Sequence, residues 1–298
     1  MRFIHVKTRR IIASAFALLL AARGPALAKE SVLAVLSSDI APYREAYAGF
    51  ESALEQPVDT VHMANEAFRI KGEPRLVITF GGKAALQNYP ERSILVYCMA
   101  PGTYLRPGDR RGPSIPVSMM PRAGMILAKM KVIQPNLKRL AILWISPANE
   151  NDVAELHKAG DAIGIEVDEH KLRRSEDLPD RLRALQGKTD ALWIPPDPLL
   201  VNDQNMVLID QFSSSARIPF YSAIGGLTEK GAVASFSTNY AEIGRAAATA
   251  AKLILGGSQL PAEIYPEKFD VTINPEAAQK AGLTLEKSLL EQAQKAQP

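Results

Sequence analysis

Apolar runs of strand length alternate with amphipathic segments along most of the chain. The first run, Ser31–Ser37, is nearly continuous, which is typical of a central parallel strand covered on both faces. The amphipathic segment Tyr43–Glu55 follows it and predicts a helix. The same pattern predicts ten more strands: Val58–Met63, Arg75–Phe80, Ser93–Cys98, Ser114–Ser118, Leu137–Trp144, Ile165–Leu172, Asp190–Pro195, Pro219–Ala223, Ala232–Thr238 and Lys268–Asn274.

Helical patterns separate most of these strands, and this alternation predicts an α/β protein with parallel sheets. After removal of the leader described below, about 270 residues remain, which exceeds one typical core and predicts two lobes. The intervening helices are predicted at Ala84–Asn88, Pro121–Ile133, Asp152–Ala162, Ser175–Leu185 and Val201–Ser214. Only about a dozen residues, 64–74, separate the second and third strands, which leaves room for one or two helical turns.

The stretch Gly231–Gly257 organises the second half of the chain. Its strand passes through a polar turn at Asn239 into an Ala-rich helix that ends at the Gly256-Gly257 pair, a C-cap signal. One face of this helix carries small apolar residues that can sit close on a sheet: Ile243, Ala247, Ala250 and Ile254. A two-lobed α/β protein needs such a late helix when its chain crosses back to the first lobe, and the crossing predicts a hinge.

Short motifs in this stretch carry a family resemblance. They are Gly231-Ala232-Val233-Ala234, Tyr240 and Glu242-Ile243-Gly244-Arg245. The stretch resembles the final crossover of ABC-transporter substrate-binding proteins, in the subfamily with members assigned to tryptophan and tyrosine. The block Leu137–Trp144 resembles the same family, and the resemblance runs from about Ser31 to about Gly282.

The resemblance implies the periplasmic binding protein fold of type I, with two doubly wound parallel-sheet lobes joined by a three-strand hinge. We expect a first lobe from residues 29–117 plus 239–262. A second lobe is expected from residues 118–238 plus 263–283, followed by an amphipathic tail, 284–298, that is either a surface helix or disordered.

The first residues read as a secretory leader. Basic residues precede an apolar run of 12 residues, Ile11–Ala22, and Ala26-Leu27-Ala28 is a cleavage signal, so we expect cleavage after Ala28 and a secreted or periplasmic protein. A retained short anchor is the alternative. Removal of residues 1–28 takes five basic residues and changes the formal charge from +3 to −2. The mature chain therefore has no electrostatic footprint for nucleic acid.

Ligands of open α/β sheets bind outside the carboxyl ends of the strands. In the first lobe this rule and the resemblance select Ser37, Ser38, Asp39, Tyr43, Gly82, Lys83 and Met99 as ligand-binding candidates. Ser38 or Asp39 as a helix cap is an equal alternative. Lys83 stands where relatives carry a small polar residue, and it either alters ligand preference or faces water.

The second lobe supplies the candidates Ser146, Asn149, Asp197, Ser222 and Ala223. The resemblance makes Asp197 the strongest of these, because relatives use an acid in the corresponding turn to meet a ligand amino group. Here Pro196 and Pro198 flank it, and an Asp that only shapes a Pro-rich turn is the alternative. Asn149 has helix capping as its alternative, and Trp144 is either a core residue or an aromatic wall of the site.

Reactive groups are scarce. The mature chain keeps three histidines at spacings unsuited to a metal site, and it lacks the nucleophile elbow and dinucleotide-binding motifs. Its single cysteine, Cys98, follows an apolar run, which favours a buried residue over a reactive thiol. We therefore expect no enzyme, no metal and no cofactor.

The expected function is binding of a small molecule, with an amino acid as the first guess, by hinge closure between the lobes. The expected partner is an ABC permease or another inner-membrane receptor, and the expected state is a monomer. The alternative is a periplasmic sensory module with the same fold, which the altered motifs at Lys83, Pro196 and Pro198 favour modestly.

Overall fold

The computed structural model describes residues 32–63, 69–70, 72–103, 105 and 112–295, with side chains described up to Glu291. The predicted signal peptide lies outside the described residues. So do residues 64–68, within the short connection, and residues 106–111. Two sheets, each with helices packed against it, form two lobes, and the predicted strands agree with the observed ones to within two residues at either end.

The first sheet is built from the first half of the chain. Its strands run parallel in the spatial order β2-β1-β3-β4-β5, which a doubly wound α/β lobe requires. The elements are β1 (Val32–Leu36), α1 (Ala41–Leu54), β2 (Asp59–His62), β3 (Leu76–Phe80), α2 (Gly82–Ala85), β4 (Ile94–Cys98) and β5 (Ser114–Pro116). Every residue of β1 and β3 is buried, as the continuous apolar runs predict.

The second sheet follows the order β11-β10-β9-β8-β6-β7, with only β11 antiparallel to its neighbour among these strands. The elements from here to the end are α3 (Ala123–Ile133), β6 (Arg139–Trp144), α4 (Glu150–Ile163), β7 (Glu166–Lys171), α5 (Leu178–Leu185), β8 (Ala191–Ile194), α6 (Asp203–Ala216), β9 (Phe220–Ser222), β10 (Ala234–Ser237), α7 (Tyr240–Leu255), β11 (Asp270–Ile273), α8 (Pro275–Lys280) and α9 (Lys287–Lys295). The last of these accounts for the predicted amphipathic tail.

Helix α7 belongs to the first lobe although β10 before it and β11 after it belong to the second sheet. The Asn239 side-chain oxygen caps the helix by accepting the Glu242 N–H at 2.9 Å. Ile243 and Ile254 are buried in the first-lobe core. The apolar face of α7 therefore packs in the core of the first lobe. The closest approach of the helix is to α1 and not to the sheet, because glycines on both helices let their backbones touch.

The chain passes between the lobes three times within the described residues, after β5, after β10 and after α7. The first and third crossings pair with each other. The Ser118 N–H donates to the Ile264 carbonyl at 2.8 Å, and the Ile264 N–H donates to the Pro116 carbonyl at 3.0 Å. Ile264 packs in the first-lobe core, two residues past the predicted limit at 262, and the lobe boundaries stay a prediction.

Aromatic side chains pack in the apolar cores of both lobes. In the second lobe Trp193 stacks on Phe236 with ring centroids 6.2 Å apart, and Trp144 is buried in the same cluster, which agrees with the core alternative for this residue. In the first lobe Cys98 is buried and its thiol donates to the Thr79 carbonyl at 3.1 Å. Burial strongly raises the pKa of the Cys98 thiol; the predicted burial is confirmed, and low reactivity stays a prediction.

Two features are absent from the described part of the chain. No helix there combines the length and the apolar character needed to cross a membrane. Over the same residues, His, Cys, Asp and Glu form no group of three that could hold a metal ion.

Candidate functional site

A cavity of about 210 Å³ lies between the lobes, where the carboxyl ends of strands from both sheets meet. The first lobe lines it with Tyr97 and residues 100–103 after β4. The first crossing contributes residues 116–120 and the third contributes Glu263. From the second lobe come Ser146, Ala148, Asn149, Asp152, Pro196 and Pro198. Both lobes and two of the three crossings therefore shape one cavity.

Asn149 supplies the most unusual polar group of this cavity. It ends a short 3-10 turn, Pro147–Asn149, and is only 4% exposed. Its side chain makes no capping hydrogen bond to α4, and its Nδ2 has no hydrogen-bond partner among the described residues. Ser146 caps the 3-10 turn that precedes α4, because its Oγ accepts the Ala148 N–H at 3.3 Å. A buried amide donor without a partner costs about 1–3 kcal/mol, so an acceptor supplied by a ligand would recover part of this free energy.

Two carboxyl groups line the same cavity, Asp152 in the first turn of α4 and Glu263 in the third crossing. Burial, and next the negative charge of Glu263, raise the pKa of Asp152 to about 7. Burial also raises the pKa of Glu263, against a hydrogen bond from the Tyr265 hydroxyl, which donates to Oε2 at 2.7 Å. Ionising both groups without a cation is therefore unfavourable.

Asp197 does not fit its predicted role. It is 0% exposed, and each carboxylate oxygen already accepts backbone N–H groups. Oδ2 accepts from Ile145 at 2.6 Å and Ser146 at 2.7 Å, and Oδ1 accepts from Leu199 at 2.9 Å and Leu200 at 3.3 Å. The alternative fits instead: Asp197 ties the loop after β6 to the Pro-rich turn after β8.

Four of the first-lobe candidates lie near the residues that line the cavity but do not line it in this conformation: Ser37, Tyr43, Gly82 and Lys83. The Ser37 Oγ accepts the Ala84 N–H at 2.8 Å, so it fixes the short helix α2. Gly82 lies next to Thr103, since a Cβ built on it would be 3.2 Å from the threonine Oγ1. Tyr43 packs against Gly81, while Lys83 is exposed, as its water-facing alternative states.

Five further candidates are placed away from the cavity lining. Ser38 is half-buried, and Asp39 is exposed and pairs with Arg44 at 3.1 Å. The Met99 side chain packs in the first-lobe core, and its backbone adopts a left-handed conformation, φ 54°. The hydroxyl of Ser222 donates to the Ile194 carbonyl at 2.8 Å, and Ala223 packs against the second-lobe core. Met99, Ser222 and Ala223 do not line the cavity in this conformation, and their ligand contacts stay a prediction.

A family model described as "ABC transporter substrate binding protein" matches residues 125–297, more than half of the chain. The chain belongs to this family. A curated relative, the tyrosine-binding protein of Clostridioides difficile strain R20291, is 26% identical over 136 residues. That alignment spans 45% of this chain and 39% of the relative's length.

Two solved structures similar to this substrate-binding protein are 18% identical to it in sequence. At this identity the likeness shows the fold alone. A ligand-free, open substrate binding protein with adhesive properties from Clostridium difficile has a TM-score of 0.61, with 87% of this chain and 96% of that chain covered. An ABC domain in complex with L-Trp from Streptococcus pneumonia has a TM-score of 0.54, with 88% and 98% covered. The predicted two-lobed fold of the type I periplasmic binding proteins is confirmed.

Sequence reasoning about this substrate-binding protein selected Ser146 and Asn149, which line the cavity, but missed Asp152 and Glu263. Asp152 follows Asn149 by three residues and lies on the helix that begins there, so helical spacing could have found it. Glu263 carried no local signal, because only the pairing of two crossings brings it to the cavity.

Proposed function

We propose that this substrate-binding protein is the solute-binding component of an ABC-type uptake system and holds a small molecule in the cavity between its lobes. The observation that carries the proposal is the buried Asn149 amide, which lacks a partner among the described residues and lines a cavity shared by both lobes. A donor without a partner, placed where both lobes line one cavity, suits ligand binding, and membership of a substrate-binding family supports the same role. We propose binding without turnover.

An amino acid with an apolar side chain is the proposed ligand class. The cavity walls support this choice, since Met119, Met120, Pro116 and Pro198 offer apolar surface beside the polar groups. The curated relative named for tyrosine and the L-Trp complex support it from outside the chain. The sequence-based prediction that backbone donors of the first lobe meet the ligand carboxylate stays a prediction.

Hinge closure is the proposed mechanism. Residues of both lobes line one cavity, so a ligand that contacts both would bind the closed state more tightly than the open state. Only such a difference in affinity shifts the population towards closure. The three crossings would then act as the hinge, with the hydrogen-bonded pair at Ser118 and Ile264 as its ordered part.

The proposed location is the periplasm or the cell exterior, and the proposed partner is an ABC permease. The leader-like residues 1–28 and membership of a transporter-linked family support this setting. A monomer is proposed because ligand binding needs one copy of each lobe.

Thermal unfolding against a panel of amino acids and other small metabolites tests the proposal, after bound ligand has been removed by unfolding, dialysis and refolding. A ligand at ~100 times its dissociation constant adds ~2.7 kcal/mol, a rise of several degrees in Tm. Asn149→Ala should abolish that rise. A panel without any stabilising ligand would overturn the proposed transport role and favour the sensory module.

A further inference from the structure

We propose that Asp152 and Glu263, here called the acidic pair, bind the ammonium group of the ligand, so that this cavity selects primary amines attached to an apolar body. The inference rests on the proposed function because it concerns the same cavity. It replaces Asp197, whose carboxylate is already occupied, as the partner of a ligand amine.

The two carboxyl groups come from different parts of the fold. Asp152 belongs to helix α4 of the second lobe, and Glu263 belongs to the crossing that returns from α7. Both line the same cavity. An ammonium group placed between them would satisfy both, since its three donors suit two carboxylates better than one.

The Asn149 amide is an independent pointer to an organic ligand in this cavity. Its Nδ2 is a hydrogen-bond donor without a partner among the described residues, so an acceptor atom of a ligand would satisfy it. Asn149 and Asp152 are three residues apart, at the start of one helix. The ligand should therefore carry an oxygen acceptor near its ammonium group, as amino acids do, which a bare metal ion does not offer.

The charges around the acidic pair favour a cation. Glu155 adds a further negative charge, and Arg122 is the opposing cation among the groups that influence Glu263. The Arg122 guanidinium lies 4.6 Å from the centre of the Tyr265 ring. Tyr97 and Tyr265 are the remaining titratable groups that feel the Glu263 charge, and both stay neutral because burial raises their pKa. Three acids therefore face one base.

Protons and a ligand amine compete for the acidic pair. Burial holds a proton on Asp152 up to a pH of about 7, and a bound ammonium group would displace it. The affinity for an amine should then fall about tenfold for each pH unit below 7, as expected for competition with one proton.

The test uses two matched ligand series measured by isothermal titration calorimetry at pH 8. The first is tyrosine, tyramine and 3-(4-hydroxyphenyl)propionate, and the second is leucine, isoamylamine and 4-methylvalerate. In at least one series the amino acid should bind most tightly and the amine, which lacks the oxygen acceptor, more weakly, while the acid without an amine should not bind. Asp152→Asn and Glu263→Gln should each weaken binding at least tenfold.

Asp161→Asn is the matched control, because Asp161 is an exposed carboxylate on the same helix. The Asp161→Asn variant should bind the ligands with the same affinity as the unmodified protein. Thermal unfolding of each variant verifies that it folds. Equal or better binding of the acids that lack an amine, or unchanged affinity in both variants, would overturn the inference and leave the proposed function intact. Failure of all six ligands would overturn the inference, while a hit elsewhere in the metabolite panel would preserve the proposed function.

Discussion

Gly244 of α7 lies directly against the Ala46 carbonyl of α1, so that a Cβ on Gly244 would overlap that oxygen. Gly49 of α1 makes the reciprocal contact with the Ala241 carbonyl of α7. The two helices thus cross at backbone distance. Because the strands on either side of α7 belong to the other lobe, this crossing fixes the helix that joins the second and third hinge segments to the first lobe.

Gly244→Ala should therefore destabilise the protein by about 3 kcal/mol, the upper part of the range for overpacked cores, because backbone atoms cannot yield like side chains. Denaturant unfolding measures this. Gly124→Ala is the control: Gly124 lies in α3 with no atom close to the position of a Cβ, and alanine should stabilise that helix by about 0.5–1 kcal/mol. Equal stability of the two variants would contradict the close crossing.

The same pair of helices shows how far the sequence could predict the structure. The small residues of α7 and its C-terminal glycines predict a buried helix that returns to the first lobe, and this is what the structure has. That α7 packs against α1 could not be predicted, because nothing in the sequence around Gly49 indicates its contact with Ala241. Local patterns specify elements, while contacts between distant elements specify their partners.

In the candidate site, too, local features could be predicted from the sequence and contacts between distant segments could not. Asn149 could be predicted from its place after a strand, since the end of a parallel strand is a local feature. The role of Asp197 could not, because a carboxylate in a turn has the same sequence pattern whether its oxygens face a ligand or backbone N–H groups. Glu263 depends on the pairing of two crossings that are distant in sequence.

Asp197→Asn should cost about 3 kcal/mol of stability. The amide retains one acceptor oxygen but presents N–H groups to backbone donors, and hydrogen bonds from N–H groups to a carboxylate contribute about 1.5–3 kcal/mol each. Thermal unfolding without ligand measures the loss. Asp203→Asn is the control, because Asp203 is 93% exposed and its ion pair with Lys230 contributes little; its Tm should hardly change. An unchanged Tm for Asp197→Asn would contradict the structural role.

Cys98 should resist thiol reagents in the native protein. Its thiol is buried, donates to the Thr79 carbonyl and has a raised pKa, so little thiolate forms at pH 8. Since it is the single cysteine of the chain, the stoichiometry of Ellman's reagent reports this site alone. In the native protein Cys98 should react with Ellman's reagent at less than about one tenth of its rate in denatured protein, because the native thiol reacts only after local opening of the fold. Equal rates with and without denaturant would contradict the burial.

Because of Asp152, the free energy of unfolding of the unliganded protein should decrease as pH rises. Its pKa is raised to about 7 by burial and by Glu263, whereas an unfolded Asp titrates near pH 3.9. Between those values the native state holds a proton that the unfolded state has lost. The free energy of unfolding therefore decreases with increasing pH, by up to about 4 kcal/mol in total, since one pKa unit is about 1.4 kcal/mol.

Asp152→Asn removes this ionisation, so its stability should change less between pH 4 and 7 and should exceed that of the unmodified protein at pH 8. Denaturant unfolding at several pH values measures both curves. Asp161→Asn, on the exposed face of the same helix, should follow the unmodified protein throughout. Parallel curves for Asp152→Asn and the unmodified protein would mean that Asp152 ionises as freely in the native state as in the unfolded chain. A ligand amine would then have no proton to displace, and the pH dependence inferred for the cavity would fail with it.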